Sequence, residues 1–417
     1  MPSTSLSYAL PVLTGHRAEL AQRFKAVRAR TLALAAPLSA EDQCVQSMPD
    51  SSPTKWHLAH TSWFFETLVL QAFQTGYRFF DAQYSYLFNS YYEALGPRHP
   101  RPQRGLLTRP CLADVHTYRG HVDSAMLQYM AVADPTDWLA AESVIALGLH
   151  HEEQHQELIQ TDILHLLSCN PLLPPYLHKP QPWPVPSACA LQFLTVDAGV
   201  YAVGHGDTEG FSFDNETPRH QALLHPFQIA NRMVTCGEYL GFIAAGGYRQ
   251  PQWWLSDGWS AVQSQGLGAP AYWLAPGDPR APSDQWQVYG LNGVQPLDRQ
   301  APVNHVSFFE ASAFAEWYGA RLPTEFEWEV AYDLPDIQQM LGHGWQWTRS
   351  SYDPYPGFRP RPGAVREYNG KFMVSQQVLR GASPATPPGH SRKTYRNFFP
   401  PAARWQFSGI RLAKDPT

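Results

Sequence analysis

Between Asn170 and Ala190 the chain reads NPLLPPYLHKPQPWPVPSACA, and no other stretch of its 417 residues limits the fold so strongly. Proline locks φ and lacks a backbone donor, so a segment this rich in it cannot form a helix interior or a central strand. It reads as a connection between two regions of different texture. We place the boundary near residue 185 and expect two domains, 1–185 and 186–417, a length that supports two cores.

Upstream, apolar residues recur at helical spacing in AELAQRFKAVRARTLALAAPL, TKWHLAHTSWFFETLVLQAFQTG, LADVHTYRGHVDSAMLQYMA and TDWLAAESVIALGLHHEEQHQELIQTDILHLLS. Asp50-Ser51-Ser52-Pro53-Thr54 and Asp134-Pro135-Thr136-Asp137 offer capping oxygens and an early proline to the second and fourth. Four such helices with a long second connection predict a bundle. Downstream come short β-like runs, FLTVDAGVYAVG and HQALLHPFQIAN, a Gly/Trp-rich region, and only one or two clear helices, notably FFEASAFAEWYGA at 308–320. The 38 prolines and 14 tryptophans suit irregular connections pinned by aromatic packing, so this half is not a bundle. The class expected for the whole chain is α+β.

A net charge of −5 gives no reason to expect a nucleic-acid surface. Five scattered cysteines without a C-x-x-C exclude a disulfide framework and a cysteine zinc site. The first residues lack a basic start and an apolar core, and no run of about 18 apolar residues occurs. These features predict a reducing, cytoplasmic setting without membrane insertion.

The chemistry concentrates in HHEEQHQE, residues 150–157. His151 and His155, four apart, share one helix face with Gln154 beside them and His150 turned away. Two metals fit these letters. H-E-x-x-H is the zinc hydrolase spacing, with Glu152 as general base. The other reading takes a third histidine from the second helix, where His57 and His60 lie among Trp56, Trp63 and Phe64; His60 is the choice. Three facial histidines leave up to three positions open on an octahedral ion, which suits Fe(II) with substrate and dioxygen. A ligating Glu157 is disfavoured, since two residues beyond His155 is about 200° round the helix.

SPTKWHLAHTSWFFE, YLFNSYYEALGPRHPRPQRGLLTRP and HHEEQHQELIQTDI closely resemble the iron-dependent sulfoxide synthases of ergothioneine biosynthesis, the hercynine oxygenases. DNETPRH, the run from Phe227 through Val234-Thr235 to Tyr239, HVSFFEASAFAEWYGARLPTEFEWEVA and RNFFPPAARWQFSGIRLA resemble their second domain. The resemblance implies a DinB-like four-helix bundle followed by a C-type-lectin-like domain of the formylglycine-generating-enzyme type. It implies Fe(II) on His60, His151 and His155, with Glu157 as an outer or structural carboxylate.

The substrates so implied are hercynine, a thiol and dioxygen. Gln154, Asn397 and Phe398 match hercynine contacts, and an aromatic face suits a trimethylammonium group. Tyr91 and Tyr92 match the tyrosine pair of the cysteine-using branch, one of which donates a proton or electron. Arg101 and Arg104 match the thiol's anchors, guanidinium forks suited to a carboxylate. Phe399 stands where a γ-glutamylcysteine branch has an acid, which favours cysteine; a selenium donor and histidine itself are alternatives. The chain departs from the family pattern at Gly381-Ala382-Ser383-Pro384, where a second glycine is usual, and at GHGWQW, residues 342–347.

Overall fold

Helix α2, Thr54–Phe65, is buried on every side, every one of its residues lying inside the first unit. Such a helix is the middle of a bundle, not a surface element. Around it in sequence stand α1, His16–Ala35, two short helices, α3, Gln71–Phe73, and α4, Tyr84–Phe88, and then the long α5, Leu112–Val132, and α6, Pro135–Ser168. The computed structural model describes residues 15–177, 189–206, 210–360, 366 and 368–416. Its two compact units are Met1–Asp162 and Ile163–Thr417. The boundary expected near residue 185 lies outside the described residues.

The four predicted helices are present, with two local differences. Asp134 caps α6 as expected, accepting from the Thr136 amide at 2.9 Å. α2 instead starts on Pro53 with no side-chain cap. Its predicted run to Gly76 is also interrupted, because Glu66–Leu70 form a π-turn before α3. Such a widened turn often marks a special requirement. Here it carries the buried carboxylate of Glu66, which accepts from the Tyr77 hydroxyl at 2.9 Å, the Phe80 amide at 2.8 Å and the Tyr118 hydroxyl at 2.5 Å.

One glycine decides how closely α6 approaches α2. A Cβ on Gly148 would stand 2.6 Å from Phe65 Cε1 and 2.9 Å from Phe64 Cε1, well inside contact distance. The missing side chain lets the turns that follow, residues 150–157, lie against α2.

In the second unit a four-stranded sheet runs in the order Asn397–Phe399, Gln377–Ala382, Gly344–Ser351, Ser408–Gly409. Helices α7, Cys236–Ala244, α8, Ser256–Gln265, α9, Phe308–Trp317, and α10, Glu325–Ala331, complete it with three smaller sheets. Reciprocal capping boxes open α7, α9 and α10, pairing Thr235 with Glu238, Ser307 with Glu310 and Thr324 with Glu327. Both family departures overlap the central strands, at Gly381-Ala382 and at residues 344–347. Gly381 has φ 107, and an added Cβ would stand 2.8 Å from the Met340 carbonyl, so glycine is required there. Ala382 is not among the residues with positive φ and pairs with Gly344, so alanine fits. Gln346 is buried and accepts from Trp328 Nε1 at 2.7 Å and Arg411 Nε at 2.6 Å, a role in packing.

Candidate metal centre

Three imidazoles meet inside the first unit. Nε2 of His60 lies 3.2 Å from Nε2 of His151, which lies 3.1 Å from Nε2 of His155. Two imidazole nitrogens bound at right angles to one ion at about 2.1 Å stand roughly 3.0 Å apart, so the spacing suits a shared cation. All three side chains are buried, with ligand atoms within 4.8 Å of one another. His60 Nδ1 is 2.6 Å from the Phe88 carbonyl oxygen, an acceptor only, so His60 carries its hydrogen there and turns a lone pair inward. Burial pushes His60 and His155 well below the usual imidazole range, and takes His151 down to about 3. Neutral imidazole nitrogens gathered in a dry interior are the donor set of a divalent transition metal.

An aromatic wall holds them. Trp56 and Trp63 stack on the two faces of His60, at 4.5 and 5.5 Å between ring centroids, and Phe64 lies 4.6 Å from His151. Tyr92 is fully buried against Trp63 at 5.6 Å, with the half-buried Tyr91 stacked on it at 4.6 Å. Asn89 braces this tyrosine turn, accepting from the Tyr92 amide at 3.1 Å and donating to the Tyr92 carbonyl at 3.0 Å.

Arg104 sits on the outer face of Trp56, its guanidinium 3.4 Å from the ring centroid. It donates to Ser52 Oγ at 2.9 Å and Ser90 Oγ at 3.2 Å, and its Nε has no partner. It is 4% exposed and forms no ion pair among the described residues. Burial, followed by the neighbouring charges of Arg101 and Arg98, disfavours its charged form. A buried cation in that position calls for an anion. Arg101 is exposed and donates to the Asp50 carbonyl, while Arg98 pairs with Glu93 at the surface.

Glu152 faces away from the histidines, although it is the residue next to His151. Its carboxylate accepts from Arg28 Nη1 at 2.9 Å, Arg119 Nη2 at 2.5 Å and Thr31 Oγ1 at 2.6 Å. Burial favours the neutral acid, but the Arg119 and Arg28 guanidiniums prevail and hold it down at about 2. A carboxylate so engaged is not a general base, which removes the zinc hydrolase reading of H-E-x-x-H. His150 is turned towards Arg23, 3.0 Å from its Nε2, and towards Glu153.

The structure thus brings His60, His151 and His155 together, with Tyr92 in their wall and Arg104 one indole away. Gln154 is half-buried on α6. Asn397 and Phe398 lie on a strand of the second unit, where Phe398 stacks on Tyr352 at 4.1 Å and its amide donates to Asn397 Oδ1 at 2.9 Å. Glu157 is half-buried; a carboxylate that the sequence did not suggest, Asp162, is reached from His155 through His57. Sequence reasoning missed it. The usable signal was spacing, since residues 155 and 162 are seven apart, about two turns, and share a face.

Comparison with known proteins agrees with both halves. Residues 23–159 match the DinB superfamily, and residues 181–333 and 335–416 match the Sulfatase-modifying factor enzyme 1-like domain. The hercynine oxygenase of Mycobacterium tuberculosis is 32% identical, over 95% of this chain and 99% of its own length. That of Mycolicibacterium thermoresistibile is 31% identical, over 97% and 96%. Ergothioneine biosynthesis protein 1 of Schizosaccharomyces pombe is 26% identical, over 49% of this chain and 28% of its own. The fold is therefore a DinB-type helical domain followed by a formylglycine-generating-enzyme-type, C-type-lectin-like domain, as the resemblance implies.

Proposed function

Because the chain belongs to the hercynine oxygenase family, we propose that it is a non-haem Fe(II) enzyme joining hercynine to cysteine with dioxygen as oxidant. The observation that carries the metal part is the convergence of three buried Nε2 atoms at 3.1 and 3.2 Å. In this reading His60, His151 and His155 hold the ion. Iron bound there would supply open coordination positions and the redox chemistry that activates dioxygen. The product is a sulfoxide. A C–S bond replaces the imidazole C–H and the thiol S–H, one oxygen atom ends on sulfur, and the other leaves as water with both hydrogens. The four electrons released match the four that dioxygen takes up.

The chain's own residues do the rest. Arg104 receives the cysteine carboxylate, with Arg101 adding positive charge; the absence of an ion pair at Arg104 among the described residues supports this role. Gln154, Asn397 and Phe398 bind hercynine. Trp56, Trp63 and Phe64 keep bulk water from the imidazoles. Tyr91 or Tyr92 delivers a proton to the oxygen that leaves as water.

No described helix is long and apolar enough to cross a membrane; the setting proposed for the reaction is cytoplasmic. The test is anaerobic Fe(II) titration with and without hercynine, then mass analysis after adding oxygen and cysteine, γ-glutamylcysteine or a selenium analogue, with histidine replacing hercynine in parallel. Coupled sulfoxide formed fastest from cysteine and hercynine is expected. No coupled product with any donor overturns the assignment.

A further inference from the structure

Resting on that reading and deepening it, we propose that His57 and Asp162 are positioning residues for His155, fixing which of its two nitrogens faces the metal. Asp162 Oδ2 accepts from the Ser52 amide at 2.8 Å and lies 3.0 Å from His57 Nε2. A carboxylate oxygen is an acceptor, so His57 donates through Nε2 and presents Nδ1 as a lone pair. That Nδ1 is 2.7 Å from His155 Nδ1, which must then carry hydrogen. The Nε2 of His155 is left with its lone pair, 3.1 Å from His151 Nε2.

The opposite tautomer would aim an N–H at the centre and remove one ligand. His60 reaches the same state through a single carbonyl, that of Phe88. His155 uses two side chains in series, a histidine and then a carboxylate, where one carboxylate commonly serves. His57 and Asp162 are buried, 2% and 7% exposed, so bulk water does not compete for these bonds. The Ser52 amide lies just before α2, so the relay also ties the last turns of α6 to the start of the helix that carries His60. The histidine judged from sequence to be the weaker ligand candidate thereby gains a role of its own.

The test uses the full chain and the variants His57→Phe, His57→Asn and Asp162→Ala. Fe(II) affinity is measured by anaerobic calorimetry, and the His155 tautomer of the metal-free protein by long-range ¹⁵N–¹H correlation, assigned with His155→Gln. We expect His57→Phe and Asp162→Ala to weaken Fe(II) binding about 10- to 100-fold and to lose the single Nδ1–H form of His155. His57→Asn places an amide oxygen where Nδ1 was and should recover most of the affinity. Unchanged affinity and tautomer in His57→Phe overturn the relay. So does a loss of thermal stability with no tautomer change and no recovery by asparagine. If His57→Phe does not fold, Asp162→Ala decides by the same two readings. A parent protein that binds Fe(II) with the expected tautomer yet forms no sulfoxide overturns the proposed reaction and leaves the relay standing.

Discussion

His151 and Glu152 are adjacent, yet one is held neutral and the other charged in the same dry interior. Burial takes His151 from its ordinary 6.5 to about 3, so between these values the unfolded chain binds a proton that the folded chain refuses. Stability of the metal-free protein is therefore fully present above about pH 6.5 and declines as pH falls through that window. Urea denaturation at pH 7.5 and pH 5 should show a lower midpoint at pH 5. Glu152→Gln should destabilise the fold by about 3 kcal/mol, because Arg28 and Arg119 lose their shared buried counter-charge. Equilibrium unfolding checks this, and a change below about 0.5 kcal/mol would sink it. Sequence reasoning gives Glu152 a role only as the general base of the zinc hydrolase reading, whereas in the structure it anchors Arg28, Arg119 and Thr31. Its partner Arg28 is 124 positions away, and no local pattern reveals such a pair. The histidines were legible because two share a helical spacing and the third lies among aromatics.

Helices were readable where one apolar face repeats over several turns, as in α1, α5 and α6. The π-turn at Glu66 was not, because what marks it is a buried acid whose donors, Tyr77, Phe80 and Tyr118, come from other turns and another helix. In the second unit S/T-x-x-E marks α7 and α10 as well as α9, a signal available in TCGE and TEFE. The approach of α6 to α2 turns on Gly148. Gly148→Ala should lower the thermal midpoint, at a cost of about 1–3 kcal/mol for overpacking, and weaken Fe(II) binding because Phe64 bears on His151. Calorimetric titration beside a melting curve tests both; an unchanged affinity would show that the ring yields without moving the ligand. The turn carrying Arg104 makes a separate prediction. Arg104→Met should raise KM for cysteine about 10-fold or more and leave Fe(II) affinity unchanged, since a charge-assisted bond contributes about 1.5–3 kcal/mol.

For the molecule as a whole, the division into a helical half and a half that is not a bundle was legible, because proline content and periodicity change together along the chain; that the second half is lectin-like was implied by the resemblance. The partners of individual polar groups were not, since they depend on tertiary packing. His60, His151, His155, His57 and Asp162 all belong to the first unit. A chain ending at residue 177 should therefore still bind Fe(II), with loss of that binding in its His60→Ala variant, as metal analysis after gel filtration can establish. The two faces of α6 carry a further consequence. On one face His151 and His155 meet His60; on the other Glu152 meets two arginines and Gln156 donates to the Val27 carbonyl at 2.9 Å and Thr31 Oγ1 at 3.0 Å. Rolling this helix by one residue, about 100°, would set a carboxylate among the imidazoles and a histidine against two guanidiniums. An apolar helix can slip and still bury oil against oil, but this one has a single seating. Misassembly here is all or none, and the convergence of the three histidines is selected by the same event that folds the bundle.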